Sequence, residues 1–229
     1  MKKVAILQSN YIPWKGYFDI IGSVDEFILY DDMQYTRRDW RNRNKIKTPQ
    51  GLQWLTIPVV VKGKYYQKIN ETLVNGHDWI DDHWKGICMN YARAEYFNQY
   101  SDRIKSIYDR CREEDYLSRI NYMFLTELCD ILGLKTKITW SSDYHLVDGK
   151  TERLVGLVKE AGGDYYLSGP AAKDYIVPEL FEEAGIELAW MDYSGYPEYR
   201  QLHGAFEHGV TVLDLIFNEG ENARRFMKT

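Results

Sequence analysis

The stretch that decides the fold covers residues 4–30 and reads VAILQSNYIPWKGYFDIIGSVDEFILY. It begins with an apolar run at residues 4–7 and ends with a second one at residues 26–30. Between the two runs, Phe18 and Ile21 recur at helical spacing after a proline-containing turn. A strand, a helix and a second strand in this order predict a βαβ unit, in which the two strands lie parallel.

The remaining pattern predicts further elements around this unit. Two β-rich runs at residues 52–61 and 67–74, joined by a Lys-Gly-Lys turn, favour an antiparallel hairpin. Apolar residues then recur at helical spacing over 78–132 and indicate three successive helices that end at Gly133. Beyond that point we expect strands at 137–140, 164–167 and 186–191, and helices at 151–161, 170–184 and 210–217.

These elements predict one α/β domain over residues 1–229. We expect a mostly parallel central sheet with helices on both faces, a β-hairpin at one edge and a helical insert at about 78–133. A sheet of this kind also leaves open a distant similarity to the nucleotidyltransferase (HUP-type) topology.

Composition excludes several classes of protein. A net charge of -5 argues against a general nucleic-acid binder, which needs excess basic charge over a broad face. No apolar run reaches the ~20 residues that cross a bilayer, so we expect no membrane insertion. The chain starts with two lysines and a short strand, not a secretory leader. Three widely spaced cysteines indicate free thiols in a reducing compartment, and we expect a cytoplasmic protein: Cys88, Cys111 and Cys129.

Positive charge is concentrated in residues 37–47, which we call the basic segment. It carries six cations and one anion and follows the second strand, which ends in Asp31-Asp32. That order places the segment on a loop at the carboxyl end of a strand, where open α/β sheets bind ligands. Like charges so close together repel each other, so the pattern predicts a partner with phosphate or carboxylate groups. A solvated loop whose arginines pair with nearby acids is the alternative.

The first turn, residues 8–17, is a second candidate for ligand binding. It joins the first strand to a helix whose N-terminus presents free N–H groups, and Gly16 allows close approach. Nucleotidyltransferases begin their first helix with His-x-Gly-His, whereas this chain has Trp14-Lys15-Gly16-Tyr17. Loss of both histidines weakens the case for nucleotidyl transfer, because they stabilise the phosphorus transition state. A purely structural tight turn is the other interpretation.

Four motifs together resemble one protein family. They lie at residues 8–18, 31–43, 168–175 and 213–220, and they are similar to the WbqC-like family over nearly the whole chain. The resemblance implies a role in bacterial surface-polysaccharide (O-antigen) synthesis, alongside enzymes that make amino sugars. It also implies transfer of an acyl or aminoacyl group to a sugar amine.

A nucleotide-linked amino sugar would give the basic segment a role, since its arginines can bind a diphosphate while Trp40 or Tyr35 stacks on a ring. The segment can equally hold the phosphopantetheine arm of an acyl carrier protein or coenzyme A, so charge leaves both donors open. No permanently bound cofactor is expected. The candidates for substrate binding are Gln8, Asn10, Tyr11, Trp14, Gly16, Tyr17, Asp31, Tyr35, Arg37, Arg38, Trp40, Arg41, Asn42, Arg43, Lys45, Ser168, Gly169, Lys173, Tyr199 and Gln201.

Acyl transfer needs a base for the amine proton, and the catalytic candidates are His77, His203 and Asp32. For His77 a helix-surface position is the alternative, whereas for His83 on the same segment a helix-surface position is expected. For Asp32 the alternative is orientation of an arginine. Ser168-Gly169 ends another strand before Pro170, so its N–H groups are expected to bind an anion. The histidines and aspartates show no standard metal-ligand spacing, so no metal is expected.

Two other functions remain open at this stage. The first is an activating enzyme that uses ATP and magnesium for nucleotidyl or adenylyl transfer. The second is a module that binds a sugar nucleotide or a carrier protein without catalysis. Pyrophosphate release would identify the first, and binding without turnover would identify the second.

Overall fold

The computed structural model describes residues 1–229 and contains seven strands. In chain order they are β1 (Lys3–Leu7), β2 (Glu26–Leu29), β3 (Arg43–Thr48), β4 (Gly51–Thr56), β5 (Lys137–Trp140), β6 (Tyr165–Ser168) and β7 (Glu187–Trp190). Five of them form a parallel sheet in the order β5-β2-β1-β6-β7. The predicted βαβ unit is confirmed, because Val4 of β1 pairs in parallel register with Glu26 of β2.

Seven α-helices surround the sheet. They are α1 (Lys15–Gly22), α2 (Trp79–Tyr91), α3 (Phe97–Arg110), α4 (Leu117–Ile131), α5 (Thr151–Glu160), α6 (Pro178–Glu183) and α7 (Val212–Glu219). Three of these, α2 to α4, follow one another without a strand, as the periodicity predicts. None of the helices combines the length and the apolar character that a membrane crossing requires.

The central strand β1 shows why helices cover both faces of the sheet. Its side chains alternate in direction, so Ala5 joins a core of 44 buried residues, whereas Val4 and Ile6 join a second core of 12. The larger core lies against α1 to α4 and α7, and the smaller one lies against α5 and α6. A strand that is apolar on both faces requires this arrangement, and the predicted α/β class is confirmed.

The strand order identifies the carboxyl ends of the strands beside β1 as the place for a ligand. From β1 the chain moves outward through β2 and β5, and then continues on the other side of β1 through β6 and β7. The connections therefore diverge at the carboxyl ends of the strands beside β1. Open α/β sheets bind ligands in the crevice that this divergence leaves.

The predicted β-hairpin was wrong in position. Strands β3 and β4 form the hairpin, with Arg43 paired to Thr56 in a separate two-stranded sheet. Between the runs at 52–61 and 67–74 only a single bridge forms, at Val59 and Val74. The short turn between β3 and β4 decides the pairing. Gly51, which follows this turn, has a φ of 112°, a value that glycine adopts easily. The Lys-Gly-Lys segment is longer and does not form so tight a connection.

Two predicted helices also have different boundaries. The helix expected at 170–184 is divided into a short 3₁₀ turn, Pro170–Asp174, and α6. Pro178 explains the break, because proline lacks a backbone donor and keeps the preceding residue extended. The final helix starts at Val212, two residues late, because Thr211 caps it and its Oγ1 accepts a hydrogen bond from Leu213 N.

Candidate functional site

The basic segment divides into two parts with different environments. Arg37 and Arg38 are exposed in the loop before β3. The second part is strand β3, where the Arg43 guanidinium lies 4.1 Å from the centre of the Trp54 ring and Lys45 Nζ lies 5.0 Å from the same ring. The expectation of a continuous loop was therefore wrong, since half of the segment forms a strand that places its cations on an aromatic surface.

A cavity of about 290 Å³ opens beside this surface, and we call it the tryptophan pocket. Trp40 forms one side and packs against Trp54, with ring centres 5.3 Å apart and the rings tilted by 42°. Trp14 forms another side, and its ring centre lies 5.2 Å from that of Tyr193. The pocket is lined by Asn10, Pro13, Trp14, Trp40, Asn44, His208 and Gly209. Its walls thus come from the first turn, the basic segment and a distant segment near the end of the chain.

The first turn is held tightly against the basic segment. Asn44 Nδ2 donates to the carbonyl oxygens of Tyr11 and Ile12 at 3.1 and 2.9 Å. These bonds hold Ile12 at a φ of 36°, a conformation that a β-branched residue rarely adopts. Gly16 is required for packing, because a Cβ atom there would lie 2.3 Å from the Trp14 ring. The pocket wall is therefore preformed.

Asn10 has one amide atom free to face a ligand. Its Oδ1 accepts a hydrogen bond from Arg41, which also lies 3.6 Å from Asp39. The Nδ2 group of Asn10 donates to no protein atom, although Asn10 lines the tryptophan pocket. Arg41 thus orients a pocket residue, and Asn10 is left as a hydrogen-bond donor.

A second, larger cavity lies at the carboxyl ends of β2 and β5, and we call it the polar cleft. Its volume is about 710 Å³. It is lined by Lys64, Lys68, Asn70, Glu71, Leu73, Tyr116, Ser118, Arg119, Trp140 and Ser142. Three cations and one acid contribute to this surface, so the cleft is net positive.

Asp31 and Asp32 lie between these cavities and the sheet. Asp31 accepts hydrogen bonds from Ser9 N at 2.8 Å and from the Ser118 hydroxyl, and burial raises its pKa. Asp32 accepts from Ser141 Oγ and, at 3.3 Å, from Asn70 Nδ2. Neither carboxylate accepts a hydrogen bond from an arginine, so the structure contradicts the alternative in which Asp32 orients an arginine. They hold Ser118 and Asn70, two residues that line the polar cleft.

The two histidines proposed as bases lie outside both cavities. His77 Nε2 is 3.2 Å from the carbonyl oxygen of Glu114, and His203 Nε2 is 3.0 Å from that of Asn90. Their rings bind the backbone of neighbouring segments, so the structure gives neither residue a position beside a ligand site.

His83 and His208 have opposite environments. His83 is buried, its Nδ1 lies 2.9 Å from the Tyr11 hydroxyl, and burial lowers its pKa to about 4. A helix-surface position for His83 was expected and is contradicted by this burial. His208 lines the tryptophan pocket and is exposed, with its ring 4.6 Å from that of Phe206. Sequence reasoning missed His208.

Comparison with known proteins identifies the family of this chain. Residues 8–226 match the WbqC-like protein family. The chain belongs to that family. A relative in Mycobacterium tuberculosis, named "Uncharacterized protein Rv1507c", is 52% identical over 230 residues, which cover 100% of this chain and 98% of the relative. No solved structure matches the chain.

Several predicted binding residues of this WbqC-like chain lie in its interior. The Tyr11 hydroxyl is 2.6 Å from that of Tyr108, and the Tyr17 hydroxyl donates to the carbonyl oxygen of Gln8 at 2.8 Å. Asn42 donates to the carbonyl oxygen of Ile57, and Tyr35 is buried in the larger core. These contacts hold the first turn and the basic segment in place, and the polar atoms that make them face other protein groups.

Tyr199 and Gln201 belong to a buried network. Tyr199 and Tyr91 donate to Asp214 at 2.8 and 2.9 Å, and Gln201 Nε2 donates to the Tyr199 hydroxyl at 3.1 Å. Burial raises the pKa of Asp214. Lys47, the last cation of the basic segment, donates to Gln201 Oε1 at 3.0 Å. The network fixes the irregular segment that carries His208 to the pocket.

Ser168, Gly169 and Lys173 do not reach either cavity. Ser168 is buried at the end of β6, and Lys173 Nζ lies 5.4 Å from the centre of the Trp190 ring. The structure therefore joins the first turn to the basic segment, and it leaves the second glycine-bearing turn apart from both.

Lys15 is a further residue that sequence reasoning missed. It is buried, its Nζ donates to the carbonyl oxygen of Pro197 at 3.1 Å, and it lies 4.8 and 5.2 Å from the ring centres of Tyr196 and Tyr199. Burial lowers its pKa to about 8. The only signal in the sequence is a lysine at the first position of a helix, where the helix dipole disfavours a cation.

Proposed function

We propose that this WbqC-like chain is a transferase that attaches an acyl or aminoacyl group to the amine of a nucleotide-linked amino sugar. The observation that carries this proposal is the tryptophan pocket. It combines flat aromatic walls, amide groups and adjacent cations, which together suit a ring joined to a diphosphate.

The substrate would bind with a ring between Trp14 and Trp40 and with its phosphates toward Arg43 and Lys45. Lys45 Nζ lies 5.7 Å from the Trp40 ring centre, so the cation and the stacking surface are adjacent. A base or a sugar can stack on indole because both present a flat or apolar face. The exposed Arg37 and Arg38 contribute to the attraction of the anion over longer distances.

His208 is the base in this proposal. It is the one ionisable side chain among the residues that line the tryptophan pocket. A neutral imidazole is the most frequent general base in enzymes and therefore suits removal of a proton from an amine. This assignment replaces His77 and His203, which the structure places elsewhere.

The reaction we propose is acyl transfer from a thioester. The amine nitrogen attacks the carbonyl carbon, and a C–N bond forms as the C–S bond breaks. His208 takes the proton from the amine and returns it to the departing thiolate. Asn10 Nδ2, which has no acceptor in the protein, would donate a hydrogen bond to the oxyanion that develops on the carbonyl oxygen. The thioester would be coenzyme A-linked or carried by an acyl carrier protein.

The biological setting is part of the proposal. The chain belongs to the WbqC-like family, and from what the resemblance implies we infer a role in the synthesis of a bacterial surface polysaccharide, including O-antigen. The name of the mycobacterial relative assigns it no activity. We place the reaction in the cytoplasm, which suits the three free thiols.

Thermal unfolding with a panel of ligands tests this function. The panel contains UDP-glucosamine, acetyl-coenzyme A and ATP with magnesium. A ligand at 100 times its Kd stabilises the native state by about 2.7 kcal/mol. We expect stabilisation by the nucleotide-linked sugar, and product formation when the thioester is added. Stabilisation by ATP alone, with pyrophosphate release, would instead support the activating enzyme.

A further inference from the structure

We propose that the polar cleft binds a phosphate-bearing ligand at a site distinct from the tryptophan pocket. Three cations face the cleft, and none is firmly paired. Lys68 Nζ lies 3.9 Å from Asp32, and Arg119 lies 3.8 Å from Glu114, while Lys64 pairs with no acid. Cations around a cavity that make only a long ion pair, or none, are available to an anion.

The N-terminus of α4 adds backbone donors to the same cleft. Tyr116 precedes the helix, and no side chain caps it. The N–H groups of Ser118 and Arg119 donate to no protein atom, although both residues line the cleft. Free N–H groups at the start of a helix bind phosphate because they combine hydrogen bonding with the positive end of the helix dipole.

The acids at the cleft are already occupied by the protein. Glu71 Oε2 accepts a hydrogen bond from Lys68 N at 2.9 Å. Asp32 accepts from Ser141 and from Asn70, as described above. Both carboxylates therefore accept hydrogen bonds from the protein, and cations outnumber acids by three to one among the residues that line the cleft. The cleft therefore favours an anion over a cation.

A buried hydrogen-bonded network connects the cleft to the first turn, and it consists of Ser9, Asp31, Ser118 and Asn121. Asn121 Nδ2 donates to Ser9 Oγ at 3.0 Å and to the carbonyl oxygen of Arg41 at 2.9 Å. Ser118 lies one turn earlier on α4 and donates to Asp31. The network links the first turn, which borders the tryptophan pocket, to helix α4, which borders the cleft. If the proposed function holds, and only then, the second ligand is the phosphate-bearing acyl donor.

Titration with inorganic pyrophosphate, followed by NMR, tests the site. The indole N–H signal of Trp140, assigned with a Trp140→Phe variant, reports on the cleft, and the signal of Trp40 reports on the tryptophan pocket. We expect the Trp140 signal to shift and saturate. Arg119→Gln should weaken this binding about tenfold or more, the effect of losing one charge-assisted hydrogen bond. Arg119 is 66% exposed, so the variant should fold normally.

Lys135→Gln is the matched control, because Lys135 is 82% exposed and lies beyond the far end of α4. It should leave the Trp140 titration unchanged. An unshifted Trp140 signal, or equal weakening by Arg119→Gln and Lys135→Gln, would overturn the proposal. Saturable binding at Trp140 without any binding of UDP-glucosamine would support this site while refuting the proposed function, so the two failures are distinguishable.

Discussion

The tryptophan pocket and the polar cleft both lie at the carboxyl ends of the parallel strands, yet different kinds of side chain line them. The pocket has aromatic walls and one ionisable lining residue, His208. The cleft has about 710 Å³ of space, against about 290 Å³, and is lined by three cations. The difference teaches that the carboxyl ends of one sheet can present both an aromatic and a cationic environment.

The two cavities are bordered by different segments of the chain. The first turn borders the pocket through Asn10 and Trp14, whereas helix α4 borders the cleft through Ser118 and Arg119. Asn121 on α4 joins the two sides. A variant on one side should therefore affect one ligand, and the following predictions test that separation in order of decreasing effect.

The largest effect is expected for His208→Gln. If His208 accepts the amine proton in the tryptophan pocket, kcat should fall by about 10²–10⁴, with little change in KM. Steady-state kinetics with a nucleotide-linked amino sugar and a thioester checks this prediction. The pyrophosphate titration at Trp140 should be unaffected.

His145→Gln is the matched control for His208, since His145 is exposed and lines neither cavity. His77→Gln should behave in the same way, because its ring binds a backbone carbonyl away from the pocket. Full activity in the His208 variant, or a comparable loss in the control, would remove the pocket from catalysis.

The second prediction concerns stability in acid. The buried imidazole of His83 contacts the hydroxyl of Tyr11 in the first turn. Burial lowers the pKa of His83 from 6.5 to about 4, so the ring is neutral in the native state above that pH. The native state therefore binds fewer protons than the unfolded chain between these values, and this contribution to stability is lost as pH falls from 6.5 toward 4. The full loss is about 3 kcal/mol.

Urea unfolding at several pH values measures this contribution. In His83→Gln the free energy of unfolding should depend less steeply on pH between 6.5 and 4, while His145→Gln should keep the original slope. Identical slopes in all three proteins would show that His83 does not titrate on unfolding. His83 would then not stabilise the first turn, which forms one wall of the tryptophan pocket, in the way that we propose.

A third prediction separates the two cavities by their aromatic side chains. Trp40→Ala should raise the Kd for UDP-glucosamine by about tenfold or more, because stacking on one aromatic ring contributes about 1–3 kcal/mol. Tyr116→Ala, on the polar cleft, should leave that Kd unchanged. Isothermal titration calorimetry of both variants makes the comparison. An equal rise in the Kd for UDP-glucosamine in both variants would show that the two cavities form one binding site.

The smallest effect is expected for Arg43→Gln. Its guanidinium is partly exposed over Trp54, so its attraction for a phosphate is reduced by solvent and salt. We expect a rise in Kd of about fivefold or less, larger at low ionic strength. Salt titrations of the wild-type and variant proteins measure it. A Kd that is independent of Arg43 at low salt would place the phosphates elsewhere.

Much of the fold could be predicted because apolar periodicity reports burial directly. The apolar run of β1 and the helical spacing of Phe18 and Ile21 both correspond to observed core positions. The hairpin could not be predicted in the same way. Residues 52–61 are rich in β-formers, but pairing depended on the conformation of Gly51 and on the preference of β3 for the nearer partner.

The candidate site was less predictable. Charge density and aromatic composition identified the basic segment, and the structure places Asn10, Trp14 and Trp40 around one pocket. Composition could not show which polar groups were already bound by protein, as Gln201 is. Nor could it show that His208, about 170 residues beyond Trp40 in sequence, approaches the same pocket.

A crystal structure of the protein with UDP-glucosamine tests the central claim most directly. We predict density for a ring of the ligand between Trp14 and Trp40, with the sugar amine within hydrogen-bond reach of His208. Ligand bound only in the polar cleft, with the space between the two tryptophans empty, would contradict the account.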